Sequence, residues 1–207
     1  MKQHKIVLLL LVFLFALGAQ AQRKGSTQFD IQLNAGLPVG SLKNAVSDHS
    51  LRGIKASVLY AVDDQLAIGL GTGFQDFYQK YPRQLYKLSD GSDMSAVRSF
   101  SIQVIPILAE AKWNFSPDAA VRPYAALGLG GNLINYNDYV GEFSLDQKTK
   151  IGFAARPDLG VYIPFRKGGE SGMTVGASFN FMPFTAGDVT NLNHVGIHAG
   201  FSLPLRK

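Results

Sequence analysis

The sequence predicts an all-β protein, an eight-stranded antiparallel up-and-down transmembrane β-barrel over residues 22–207, preceded by a cleaved signal peptide over residues 1–21. Three observations predict it. The opening residues have the basic, apolar and small-residue parts of an export signal. Beyond them hydropathy repeats every two residues rather than every 3.6. The connections between the repeating segments alternate between long and short, as in barrels whose loops face one side and whose turns face the other.

The export segment begins with Lys2 and Lys5, continues through an apolar run over residues 6–17, and closes on Ala19-Gln20-Ala21. A run of about a dozen residues is too short to span a bilayer as a helix, which takes roughly 20. Cleavage after Ala21 leaves Gln22 at the mature terminus and lowers the formal charge of +5 to about +3. The remaining basic residues form no stripe, so nucleic acid is not expected as a partner. The chain has no cysteine. Disulfides, thiolate metal sites, a thiol nucleophile and a lipid-carrying cysteine are therefore excluded, and no cofactor or metal is expected.

Each strand is read from its alternation, since successive side chains on a strand point to opposite faces. Phe29, Ile31, Leu33, Ala35 and Leu37 oppose Asp30, Gln32, Asn34 and Gly36. Ile54, Ala56, Val58, Tyr60 and Val62 oppose Lys55, Ser57, Leu59 and Ala61. Leu66 to Phe74 carry apolar side chains and Thr72 on even positions, against Ala67 and three glycines. Ile105, Ile107, Ala109, Ala111, Trp113 and Phe115 oppose Pro106, Leu108, Glu110, Lys112 and Asn114. Ala125, Leu127 and Leu129 oppose Ala126, Gly128 and Gly130. Over residues 151–165 the odd positions are wholly apolar, while the even ones include Arg156 and Asp158. Met173, Val175, Ala177, Phe179 and Phe181 oppose Thr174, Gly176, Ser178 and Asn180, and Val195 to Leu205 oppose a face containing His198 and Ser202.

Loops are expected at residues 39–50, 80–97, 136–150 and 183–193, with tight turns at 63–65, 116–121 and 166–172. An even strand number places both termini on the short-turn side. The glycine runs around residues 69–73 and 128–131 alternate within strands, so they do not read as phosphate loops, which must open a helix. Charge and glycine share one face while bulk and apolarity share the other. That arrangement suits a narrow polar interior and a wall facing lipid, the reverse of a water-soluble barrel. Trp113, Phe115 and Phe165 near the short turns, with Phe74 and Tyr78 near the largest loop, fit aromatic girdles.

Ile105-Pro106-Ile107-Leu108, Lys112-Trp113-Asn114-Phe115 and the following Arg122-Pro123-Tyr124-Ala125-Ala126-Leu127-Gly128-Leu129-Gly130, with Ala19-Gln20-Ala21-Gln22 at the junction, carry a resemblance. Together they resemble the outer-membrane β-barrel domain proteins of Bacteroidetes-type bacteria, including the PorT-like group. The resemblance implies an eight-stranded barrel integral to the outer membrane, and it carries no catalytic residues. It departs at the end Leu203-Pro204-Leu205-Arg206-Lys207, where many such barrels finish on an aromatic residue. Phe201 and Leu203 on the lipid face of the last strand are the expected recognition features for the barrel assembly machinery.

Two groups of residues are candidates for function. Glu110, Lys112, Arg156, Asp158 and His198, with Lys55 and Asp30 as contributors, are expected in a lumen network, because buried charges require partners and small barrels are filled by side chains. Tyr81, Arg83, Tyr86 and Lys87 in the longest loop are the expected surface contacts. The function expected is non-enzymatic, a structural or surface-interaction role with outer-membrane lipid and a surface partner. The alternatives are an accessory role in protein secretion, a lipid-modifying barrel enzyme using Ser, His and an acid, and a small pore.

Overall fold

The computed structural model describes residues 24–87, 93–141, 143–166, 169–186 and 189–205. The predicted signal peptide, residues 1–21, lies outside the described residues. In chain order the elements are β1 (Thr27–Pro38), the short helix α1 (Leu42–Ala45), β2 (Ser50–Ala61), β3 (Leu66–Lys80), β4 (Gln84–Lys87), β5 (Asp93–Ala96), β6 (Arg98–Asn114), β7 (Arg122–Val140), β8 (Phe143–Pro164), β9 (Gly172–Asn180), β10 (Pro183–Ala186), β11 (Val189–Asn191) and β12 (His194–Leu205). Eight of them close a barrel in the order β1-β12-β9-β8-β7-β6-β3-β2, and every pairing in it is antiparallel. β10–β11 and β4–β5 are separate hairpins.

The wall has the polarity that the alternation requires. Leu33 is 74% exposed, Leu70 66%, Leu159 65% and Ile107 56%, all pointing outward. Asp30, Lys55, Lys112, Arg156 and Asp158, one position out of phase with them, are buried inside. Only hydrocarbon makes such an outer face favourable. The girdle residues Trp113, Phe115, Phe165 and Tyr78 also point outward, and Phe165 packs on Phe201 with ring centroids 6.2 Å apart.

The predicted strand phases hold, but several loops are in fact structured. Of residues 136–150, expected as a loop, 136–140 and 143–150 are strand, and Gly141 begins a turn with a φ of +62° that only glycine adopts without strain. β3, β6, β7 and β8 all continue past their predicted ends, the 80–97 loop contains β4–β5, the 183–193 loop contains β10–β11, and the 39–50 loop contains α1. The composition of these stretches is polar because their outward side chains (Ser99, Ser101, Asn135 and Asn137) meet water. Most of the inward side chains on β6 and β7 there are apolar (Phe100, Ile102, Ile134, Tyr136 and Val140), with Arg98 and Asp138 the charged exceptions.

This inversion is visible along single strands. On β6 the outward Ile107 and Trp113 give way, beyond Ile105, to the inward Val104, Ile102 and Phe100; on β7 the outward Leu127, Leu129 and Leu133 give way to the inward Ile134, Tyr136 and Val140. All of this inward set except Val140 joins Phe77, Met182, Phe184, Val189, Leu192 and the α1 residues Leu42 and Ala45 in one buried cluster. The expectation of a polar interior is therefore corrected for the long-strand half, which has an apolar core like that of a small soluble barrel.

Close packing of strand backbones fixes where side chains are allowed. A Cβ on Gly69 would lie 1.9 Å from the Val58 carbonyl oxygen of the paired strand β2. Gly69→Ala is expected to destabilise the barrel by about 1–3 kcal/mol, visible as a lower temperature for the loss of the folded band on unboiled gels. At the tight β2–β3 turn, Asp63 accepts hydrogen bonds from the amides of Gln65 (2.7 Å) and Leu66 (2.6 Å). These amides hold its carboxyl below the ordinary carboxylate value. The turn's stabilisation is thus complete above the unfolded-state pKa of about 3.9 and is lost as pH falls through the lower folded value. The stability difference between wild type and Asp63→Ala, measured across an acid titration, is expected to vanish at the low end.

Candidate functional site

Inside the membrane-spanning half of the barrel, seven titratable residues that gather in the middle of the lumen come from five strands: Asp30 on β1, Lys55 on β2, Glu110 and Lys112 on β6, Arg156 and Asp158 on β8, and His198 on β12; Arg122 on β7 is buried nearer the short turns, over the Tyr162 ring. The structure brings all seven together. Neighbours two apart on one strand do not pair with each other; each reaches across the lumen. Lys55 Nζ lies 2.6 Å from Asp158 Oδ2, Lys112 Nζ lies 3.1 Å from Asp30 Oδ2, and Arg156 is paired with Glu110. Three cations thus face three anions.

His198 sits at the junction of the network. Its Nδ1 lies 3.4 Å from Lys55 Nζ, and its Nε2 lies 3.2 Å from Tyr124 Oη and 3.4 Å from Asp158 Oδ1. In the neutral tautomer that accepts from Lys55, the Nε2 proton points at Tyr124 and Asp158. Tyr124 also offers its ring face to Lys112, with the ammonium 4.6 Å from the ring centroid. Tyr124 is not among the lumen residues expected from the sequence, although its even position on the strand that follows the 116–121 turn already places it inward. Glycines opposite these groups supply the room. A Cβ on Gly71 would collide with the Glu110 carboxylate, and one on Gly176 would lie 2.8 Å from His198 Nε2. The cavities left beside the network have volumes of about 30 and 10 Å³, space for isolated water molecules.

Above the network a polar layer (Asn34, Gln75 and Ser50, linked by side-chain hydrogen bonds) gives way to the apolar core. Over that core opens a cup of about 470 Å³. On its wall Arg98 Nε and Nη2 donate to the two carboxylate oxygens of Asp138 at 3.0 and 2.7 Å, and the guanidinium lies 4.6 Å from the Phe100 ring centroid. Asp146 pairs with Lys148 at 2.7 Å.

The expected surface-contact residues divide. Tyr81 is partly buried, packs edge-on against Phe100 and donates its hydroxyl to the Ala45 carbonyl at 3.0 Å, so it is a wedge in the cup wall rather than a freely presented contact. Arg83 is exposed. Tyr86 and Lys87 belong to β4, and their side chains lie outside the described residues. Arg98, Phe100, Tyr136 and Asp138 were not anticipated. The continuing alternation of Phe100, Ile102 and Val104 was the signal that would have placed them inward.

The sequence profile of the outer membrane protein beta-barrel domain matches residues 7–203. The chain belongs to that family. It is an integral outer-membrane protein, and the long-strand end with its cup is the end that such barrels present outside the cell. No curated protein matches the sequence. Among solved structures, the outer membrane protein OprG of Pseudomonas aeruginosa is similar over 89% of this chain and 98% of its own, with 10% identity and a TM-score of 0.54. Neisserial surface protein A is similar over 89% and 99%, with 14% identity and a TM-score of 0.52. Likeness at this identity shows the barrel fold alone.

Removing one partner from the lumen network strands its counter-charge. Asp158→Ala, which leaves Lys55 buried, is expected to cost about 3–5 kcal/mol in denaturant unfolding in lipid vesicles. The Lys55→Met/Asp158→Leu double variant should lose less than Asp158→Ala alone.

Proposed function

We propose that this member of the family is a non-enzymatic outer-membrane protein with a structural and surface-interaction role. Its lumen network acts as an internal brace and its extracellular end as the working surface. The observation that carries the reading is the pairing of three cations with three anions across the lumen, beneath an apolar core that fills the extracellular half. A close-filled interior whose central charges are paired suits a rigid wall and does not suit a water column. The partners of His198 also favour a non-enzymatic reading. They are Lys55, Tyr124 and Asp158, whereas nucleophilic catalysis by a serine needs the hydroxyl within hydrogen-bond reach of its base. His198 is moreover 2% exposed inside the barrel, away from any lipid substrate.

Lipid contacts the outward apolar band, and β12, with Phe201 and Leu203 outward, is the strand we expect the assembly machinery to recognise. The resemblance of the β6 and β7 sequences to the PorT-like group supports a second reading, an accessory role in protein secretion, which predicts co-purification with secretion components. The reading is tested by reconstitution in planar bilayers. The folded protein is expected to leave the baseline current unchanged, and removing the Arg156–Glu110 pair by a double alanine substitution should introduce at most brief openings. Steady conductance by the wild type would overturn the brace.

A further inference from the structure

We propose that the extracellular cup is a binding site for a neutral saccharide of one or two rings. The proposal rests on the surface-interaction reading above and names the ligand class of that surface.

Size separates the cup from the rest of the interior. Its volume of about 470 Å³ lies within the roughly 300–1,000 Å³ of small-molecule sites, whereas the lumen cavities below it, about 30 and 10 Å³, have room for isolated waters alone. Charge restricts the ligand next. The two acids of the wall, Asp138 and Asp146, are each already matched to a cation, Arg98 and Lys148. A ligand with net charge of either sign would have to compete with one of those partners. A neutral ligand can add hydrogen bonds to both pairs, because a carboxylate has more acceptor positions than one guanidinium occupies.

The lining then selects among neutral molecules. The exposed amide side chains of Asn44 and Gln84 stand on the rim and each both donates and accepts. Phe100 and Tyr136, 6% and 4% exposed, contribute a small apolar patch to its floor among these polar groups. An aliphatic ligand would bury the carboxylates and amides against carbon, at a cost for each unsatisfied group. A saccharide offers hydroxyls that donate and accept together with a C–H face that suits a small apolar floor. Its hydroxyls match the alternation of Asn44, Gln84, Arg98 and Asp138.

The walls are also fixed in advance. Arg98 and Phe100 stand on β6, Tyr136 and Asp138 on β7, and Asp146 on β8, in continuous register with the barrel. Ordering costs on binding are therefore small.

The test uses the folded full-length mature protein in phosphatidylcholine nanodiscs, avoiding glycoside detergents that would occupy the cup. Maltose, lactose and N,N′-diacetylchitobiose are probed by saturation-transfer NMR and titration. At least one is expected to bind, and the Asn44→Ala/Gln84→Ala variant is expected to weaken it about tenfold, from the loss of two hydrogen bonds, with its gel shift on heating unchanged. A second variant, Arg98→Lys, keeps the charge but removes the bidentate geometry and should weaken binding while leaving the fold band intact. The proposal is overturned if none of the three sugars binds at millimolar concentration, or if binding survives both variants unaltered. It is equally overturned if sulfated heparin binds in preference with strong salt dependence, or if dodecanoate binds in preference. Each of these results leaves the braced barrel standing, since that reading fails only by conductance.

Discussion

Hydrocarbon leaves a backbone amide no partner except another backbone group, and an unpaired one costs several kcal/mol. Much else in this molecule follows from that constraint. The eight wall strands have to close, and β1 pairs with β12 along its whole length. A closed ring of eight strands encloses a space just wide enough for side chains. The interior therefore needs a filling, and the choice of charged filling in the membrane half obliges those charges to come in matched pairs. The inward glycines follow in turn, because a lumen that holds Glu110, Arg156, Lys112 and Tyr124 has no room for a side chain at Gly71 or Gly160.

The same wall passes through two solvents without changing its hydrogen bonding. Within the lipid, stability comes from apolar groups outside; beyond it, from apolar groups inside, where burial from water becomes the driving force. The strands β6 and β7 make the change within one or two residues, at Val104–Ile105 and Leu133–Ile134. The position of the outer membrane surface is thereby written in the sequence as two adjacent apolar residues that break an alternating pattern.

That pattern explains what could be read in advance. Strand existence, facing and the inward charges were legible because a period of two admits only two phases and lipid chooses between them. The cross-lumen partners were not legible, because Glu110 and Lys112 look like natural neighbours on one strand while their partners depend on shear around the barrel. The extracellular extensions were hidden for a different reason. Asn135, Asn137, Ser99 and Ser101 have loop composition, and only the intervening Phe100, Tyr136 and Val140 betray continuing strand. Arg98 and Asp138 escaped notice because they are 40 residues apart and meet only when that hairpin is extended.

The extension of β7 from Leu133 to Val140 is seven residues of strand beyond the last lipid-facing side chain. At about 3.3 Å per residue, and allowing for a tilt of roughly 40°, it lifts the rim of the mouth some 18 Å above the hydrocarbon. The barrel is consequently a pedestal. It holds a rigid receptacle clear of the charged headgroup layer, where a molecule approaching from the medium meets it before meeting the membrane.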